Sequence, residues 1–169
     1  MKIVVASDIH GSAIWCKRVI DVVERERADQ VVLLGDLLYH GPRNPLPDGY
    51  DPQQVAQMLN SIAKRIVAVR GNCDSEVDQM MLDFPCLADY ALVVDGTTRL
   101  FCTHGHALTP DAPPKLPDGT VFLSGHTHVK TDEVRNGIRF VNPGSVALPK
   151  DGSHSLAIFV SGTFEFVTL

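Results

Sequence analysis

No segment of this chain is apolar for long enough to cross a bilayer, and the opening MKIVVASDIHG reaches Asp8 and His10 before any signal-like run develops. The sequence therefore predicts no membrane association and a cytoplasmic location. Cysteine is sparse and unpatterned: Cys16, Cys73, Cys86 and Cys102 form no CxxC pair, and a reducing cytosol keeps such thiols free, which excludes a disulfide framework. Positive charge is also short. Lys and Arg number 15 against 20 Asp and Glu, a formal net charge of -5, and the cations are scattered rather than striped. Stable binding of duplex nucleic acid is not expected from such a surface. A small anionic substrate needs a local source of positive charge.

What is present fits an ordinary globular protein. Of the 169 residues, 44% are hydrophobic and 21% charged, and a chain of this length buries well over half of its unfolded surface as a single domain, here residues 1–169. KIVVAS and QVVLLG are β-branched runs that read as buried parallel strands. Between them lies a helix capped by Ser12, with Ile14, Val19, Ile20 and Val23 near one face. A second helix is predicted from Pro52 to about Lys64, and a third strand from Ile66 to Val69. The βαβαβ order implies a parallel sheet with right-handed crossovers. The second half is β-rich, with Asn136-Gly137 and Ser161-Gly162 as hairpin turns. Two sheets packed face to face, with helices outside, are expected. Proline concentrates in HGPRNPLPDGYDP and TPDAPPKLPDG, which read as loops within one domain.

The informative pattern is where polar residues fall. Asp8 and His10 follow the first strand, Asp36 the second and Asn72 the third; His104 and His106 follow the fifth, His126 and His128 the sixth. In an α/β sheet the carboxyl ends of the strands form one edge, so residues distant in sequence meet there. Any one of these residues has a structural explanation as a helix cap, a turn residue or a packed histidine. Five strand ends finishing in Asp, His or Asn, beside Gly11, Gly35, Gly71, Gly105 and Gly125, exceed what turn chemistry needs. A metal site follows. Two carboxylates, several imidazoles and an amide form a set too hard for a thiolate site and too rich in histidine for magnesium or calcium, so manganese, iron or zinc fit. The number of donors exceeds one tetrahedral shell and suits two ions about 3.5–4 Å apart, bridged by a carboxylate.

DIHG, GDLL, GNCD, THGH and GHTH, in this order, resemble the motifs of the calcineurin-like metallophosphoesterase superfamily. GPRNPLPDGY, VRGNCDSEVDQMML and NPGSVALPK look like its YfcE-type bacterial phosphodiesterases. The resemblance runs from Lys2 to about Gly152. It implies a four-layer α-β-β-α sandwich of two mixed sheets flanked by helices, and two divalent cofactor ions, manganese by preference. Asp8, His10 and His128 would hold one ion; Asn72, His104 and His126 would hold the other; Asp36 would bridge them. The implied activity is a metal-dependent phosphodiesterase acting on a small phosphate ester by in-line attack of a metal-bridging hydroxide. Two divalent ions against two carboxylates leave the cluster at about plus two, which resolves the charge problem.

Where many superfamily members carry a histidine in G-N-H-D/E, this chain has Cys73. A thiol is a poor proton donor to a departing alkoxide, which predicts a bias toward diesters with good leaving groups. Its neighbours Asp74 and Glu76 raise rather than lower a thiol pKa, so a small turn residue is expected there instead of a nucleophile. Asp74 is expected to orient that turn, and His106 to support a ligand or face the substrate. His40 and Arg43 are candidates for contacting a phosphate oxygen. His154 is assigned to a turn, and Asn142 to Ser145 to structural support. The retromer subunit of the superfamily shows that this fold also serves as a protein-binding scaffold; all seven ligand positions are filled here, which favours an enzyme. A nuclease would need a basic path that the scattered cations do not supply. Apolar residues of the proline-rich loops predict a homo-oligomer, a dimer or tetramer.

Overall fold

The first strand, β1 (Lys2–Ala6), sends Ile3 and Val5 to one face and Val4 and Ala6 to the other, and all four side chains are fully buried. A strand covered on both sides reads as an unbroken apolar run, which is why KIVVA shows no alternation. The computed structural model describes residues 1–169. β1 pairs in parallel with β2 (Gln30–Leu33), which pairs in parallel with β3 (Ile66–Ala68). The helices α1 (Ala13–Arg25) and α2 (Pro52–Ser61) make the crossovers. Ser12 accepts the Trp15 N–H as the cap of α1, and Asp51 accepts the Gln54 N–H ahead of Pro52 at the start of α2. Cys16, Val19 and Val23 of α1 and Val55, Ala56 and Leu59 of α2 pack on Val4, Ala6, Val31 and Leu33.

The predicted extension of α2 to Lys64 is interrupted. Ile62 leaves helical dihedrals (φ -118°, ψ 14°) and turns into the core, and Ala63–Arg65 form a separate 3₁₀ turn. A further short helix, α3 (Glu76–Met81), follows β3 and was not expected. Asp78 closes its first turn by accepting from both the backbone and the hydroxyl of Ser75.

The second half supplies β4 (Tyr90–Asp95), β5 (Thr98–Thr103), β6 (Val121–Leu123), β7 (Thr131–Arg135), β8 (Ile138–Asn142), β9 (Ser155–Val160) and β10 (Thr163–Thr168). Two five-stranded mixed sheets result, ordered β10-β9-β1-β2-β3 and β4-β5-β6-β8-β7. The last two strands thus return to the first sheet, β9 antiparallel to β1 and β10 antiparallel to β9 at the edge. Ile3, Val5, Val32 and Leu34 meet Leu100, Cys102, Val121, Leu123 and Val141 between the sheets. The hairpins fall at Asn136-Gly137 and Ser161-Gly162 as expected, with positive φ at all four residues.

The two mixed sheets and the helical flank match the sandwich expected from the sequence. On the opposite flank the covering layer is a loop between Thr103 and Val121. Its Leu108 and Leu116 pack on Phe101, Phe122, Ile138 and Phe140. Prolines 110, 113, 114 and 117 keep that stretch from forming a helix while leaving its two leucines free to cover the aromatic face. No helix is long and apolar enough to cross a membrane.

Candidate metal centre

The loops after β1 and β2 stay laced together past the ends of their strands. Asp8 N–H donates to Gly35 O (3.1 Å), His10 N–H to Asp36 O (2.9 Å) and Gly11 N–H to Leu37 O (2.9 Å). Holding carboxylates and imidazoles at this edge forces unusual backbone. Asp8 (φ 59°), His10 (48°), Asp36 (55°), His126 (66°) and His128 (62°) are all left-handed, leaving only Arg27, Asn136 and Ser161 as other non-glycine cases. Each such residue costs about 1–2 kcal/mol. Strain of this kind gathers where side chains are aimed for chemistry.

Asp8, His10 and His128 form the first cluster. His128 Nε2 lies 3.2 Å and His10 Nε2 3.7 Å from Asp8 Oδ1, and the two Nε2 atoms are 3.4 Å apart. Both rings are fixed from behind: His10 Nδ1 donates to Tyr39 O (3.0 Å) and His128 Nδ1 to Leu148 O (2.6 Å). In a neutral imidazole that leaves Nε2 as a bare lone pair. Asp8 Oδ2 accepts the His126 N–H, whereas Oδ1 is buried without a hydrogen-bond donor. Two lone pairs and an orphaned carboxylate oxygen converging in the interior are a donor set that fits a divalent cation.

Asp36 faces both ways. Its Oδ2 is 3.7 Å from His10 Nε2 and 3.5 Å from His104 Nε2. His104 Nδ1 donates to Leu34 O (2.6 Å), and its Nε2 lies 3.0 Å from Asn72 Oδ1. The donor atoms of Asp8, Asp36 and His104 fall within 4.8 Å of one another, as do those of Asp8, His10 and His128. His126 stands further out. Its ring centroid is 5.1 Å from that of His104, on the open side of the cluster. Five of the seven expected ligands are thus buried, while Asn72 and His126 reach the centre from its rim.

The electrostatics follow the geometry. Burial opposes the charge on Asp36, but the hydrogen bond and charge of His104 and the Cys73 N–H hold its carboxyl well below the usual range. Burial likewise opposes protonation of His104, and Asp36 and Asp8 overcome it, lifting the imidazole to about 9. Asp8 raises His128 in the same way, whereas burial keeps His10 and His126 low.

Asp74 turns away from the centre. Its Oδ1 accepts from Leu37 N–H (2.8 Å), and its Oδ2 from Asp36 N–H (2.8 Å) and Gly71 N–H (2.7 Å). Both oxygens are consumed in tying the β2 loop to the β3 loop. Cys73 sends its backbone N–H to Asp36 Oδ1 (2.8 Å), and its sulfur lies near His10 and Asp36. Burial, reinforced by Asp36, pushes the thiol up to about 12, so it stays neutral.

An open cleft of about 1300 Å³ leads to the centre, lined by Asp36, Asn72, His126 and His128 on its floor. Arg43 lines it as well, together with Arg70 and Lys150, which sequence reasoning had passed over. Their only signal was their place in VRGNCD and NPGSVALPK, beside candidate ligands. His106 is exposed, with its ring 5.3 Å from His104 and 6.2 Å from His126. His40 does not line the cleft; it packs between Tyr39 and Tyr50. His154, expected in a turn, stacks on Trp15 of α1 at 3.5 Å. Asn142 to Ser145 hold the site from below: Asn142 Nδ2 donates to Gly125 O (2.7 Å), and Ser145 Oγ to Asp8 O (3.1 Å).

Comparison with known proteins places this geometry in context. The sequence profile of the calcineurin-like phosphoesterase superfamily domain matches residues 1–162. Phosphodiesterase YfcE of Escherichia coli (strain K12) is 50% identical over 153 residues, covering 90% of this chain and 83% of that protein. The solved structure of YfcE, a phosphoesterase from E. coli, superposes with a TM-score of 0.94 at 43% identity, covering 99% of both chains. A Vps29 variant from Entamoeba histolytica shares the fold at a TM-score of 0.63 and 20% identity, covering 100% of this chain and 99% of that one.

Proposed function

The chain belongs to the calcineurin-like phosphoesterase superfamily and is a phosphoric ester hydrolase, and we propose that it is a phosphodiesterase for small diesters that uses two divalent ions. The observation that carries this reading is the double-facing carboxylate of Asp36, with Oδ2 3.7 Å from His10 Nε2 and 3.5 Å from His104 Nε2. Asp8, His10 and His128 would hold one ion beside it; His104, Asn72 and His126 would hold the second. The mixed oxygen and nitrogen donors suit manganese, with zinc or iron as alternatives.

Bound at these donors, the ions supply positive charge to the phosphoryl oxygens and lower the pKa of water so that hydroxide is available for in-line attack. The chain's own residues fix everything else. Three Nδ1–H bonds to backbone carbonyls hold His10, His104 and His128 with Nε2 inward, so no ring rotation accompanies the reaction. Asp74 fixes the backbone of Asp36, and Cys73 fixes Asp36 Oδ1. At the Cys73 position the leaving oxygen finds a neutral thiol in place of an imidazolium, which favours esters whose leaving groups depart without a proton. Diesters therefore rank above monoesters.

The test is hydrolysis of paired aryl phosphate diester and monoester substrates with manganese, zinc or a chelator, alongside Asp36→Asn. Metal-dependent turnover of the diester, lost in Asp36→Asn, is expected. Turnover surviving both chelation and the substitution overturns the two-ion mechanism.

A further inference from the structure

Three cations line the cleft without a carboxylate partner. Of the other twelve Lys and Arg side chains, seven form ion pairs, Lys2, Lys17, Arg25, Arg65, Lys130, Arg135 and Arg139, and five, Arg18, Arg27, Lys64, Arg99 and Lys115, are unpaired but do not line the cleft. Arg43, Arg70 and Lys150 are set apart because three unpaired cations share one opening, in a protein with a net charge of -5. They arrive from three separate segments, the loop after β2, the end of β3 and the loop between β8 and β9. Two of them are anchored next to the metal centre. Arg70 Nε donates to Asp74 O (3.2 Å), which leaves both terminal amino groups of its guanidinium unpartnered. Lys150 N–H donates to His128 O (3.0 Å), so its side chain starts beside a candidate ligand.

The cleft's remaining acids do not neutralise these cations. Asp74 spends both oxygens on three backbone N–H groups, and Asp78 is occupied by the backbone and hydroxyl of Ser75. Asp36 is committed to the metal centre. A single scissile diester carries one negative charge, and the proposed pair of ions, at about plus two with its carboxylates, already exceeds it. Three further cations at the same opening are more than that ester needs. Arg forks suit phosphate oxygens bidentately, and Lys serves as a compact point charge for the same group.

We propose that Arg43, Arg70 and Lys150 bind a second phosphoryl group of the substrate, so that the preferred ester carries a phosphate in addition to the scissile diester. This rests on the phosphodiesterase reading above and names the substrate class within it. The exposed positions of Arg43 and Lys150 let both be removed without disturbing the core.

Calorimetry on the manganese-loaded protein decides it, with thymidine 3′,5′-bisphosphate compared against thymidine 5′-phosphate. The bisphosphate should bind at least about tenfold more tightly, and the advantage should weaken with added salt. In the double variant Arg43→Ala/Lys150→Ala the two affinities should converge to within about twofold. Arg70→Lys, which keeps the charge and loses the fork, should give an intermediate ratio. Equal affinities in the unsubstituted protein, no measurable binding of the bisphosphate, or a ratio unchanged in the double variant overturns the proposal. Hydrolysis of bis(p-nitrophenyl) phosphate by the same preparation reports separately: its absence with the affinity ratio intact removes the phosphodiesterase reading and leaves the cationic wall standing.

Discussion

The carboxylate of Asp74 accepts the backbone N–H of Asp36 at 2.8 Å. Through that bond a carboxylate outside both donor clusters sets the backbone of the one that stands between them. Leu37 and Gly71 donate to the same carboxylate, so Asp74 is the rivet between two loops that no strand pairing joins.

Asp74→Ala should therefore injure both stability and metal binding. It leaves three donors without a partner, at roughly 1–3 kcal/mol for each one that stays buried and dry. A drop of at least about 3 kcal/mol in unfolding free energy is expected, together with weaker manganese binding by Asp36. Asp74→Asn retains an acceptor oxygen and should recover part of both losses. Denaturant melts and a metal titration on the two variants check this, and an alanine variant as stable as the parent counts against the rivet.

Gly71 tests the same junction by space alone. Its φ is not left-handed, so glycine is not required by backbone conformation, yet a Cβ there would collide with Asp36 N and Oδ1. Gly71→Ala should weaken manganese binding by an order of magnitude or more by displacing Asp36, while the distant strand core stays folded. Gly96→Ala is the control, since its Cβ would meet nothing within 4 Å. Its own left-handed φ of 60° gives it a modest stability cost and no effect on metal. Equal metal affinity in the two variants would show that the space at Gly71 is unimportant.

The metal-free protein should respond to pH with a definite sign. His104 is lifted from an ordinary 6.5 to about 9 by its contact with Asp36 against the pull of burial. A group raised on folding contributes stability that is complete below its unfolded value and disappears as pH climbs through its folded value. Chelated protein should thus lose melting temperature between about pH 6.5 and 9, and His128, raised by Asp8, acts in the same direction. Metal competes with these protons, so apparent manganese affinity should rise across the same window with protons released. Calorimetry in two buffers of different ionisation enthalpy measures that release. A flat melting profile for the chelated protein over this range contradicts the His104 assignment.

The candidate ligands were legible because position and residue type agree: each polar residue follows a short apolar strand, and the carboxyl ends of adjacent strands must share an edge. Other features leave no such trace. α3 has only six residues, too few to show a period, and the aromatic face of the second sheet is covered by a proline-rich loop whose apolar spacing carries no regular signal. The partners that aim His10, His104 and His128 are the carbonyls of Tyr39, Leu34 and Leu148, which any side chain at those positions supplies equally well. Arg70 and Lys150 matter for a contact they lack, which is a tertiary property. His40 shows the converse: its place in a polar loop suggested a ligand contact, but two tyrosines claim the ring.

Cys73 offers the sharpest test of leaving-group chemistry. Its neutral thiol sits beside His10 and Asp36, where an imidazolium would be able to protonate a departing oxygen. A general acid in place contributes on the order of 10² or more to rate, and most to the poorest leaving group. Cys73→His should raise turnover of a phenyl-leaving diester relative to its p-nitrophenyl counterpart by roughly tenfold or more. The larger ring must displace the segment around Gly41, which packs so closely that a Cβ added there would lie 2.8 Å from the Cys73 sulfur, so some loss of thermal stability should accompany the gain. Brønsted plots over a series of aryl leaving groups measure the effect. If the slope for the histidine variant matches that of the parent while manganese still binds, the missing proton donor is not what sets the leaving-group preference.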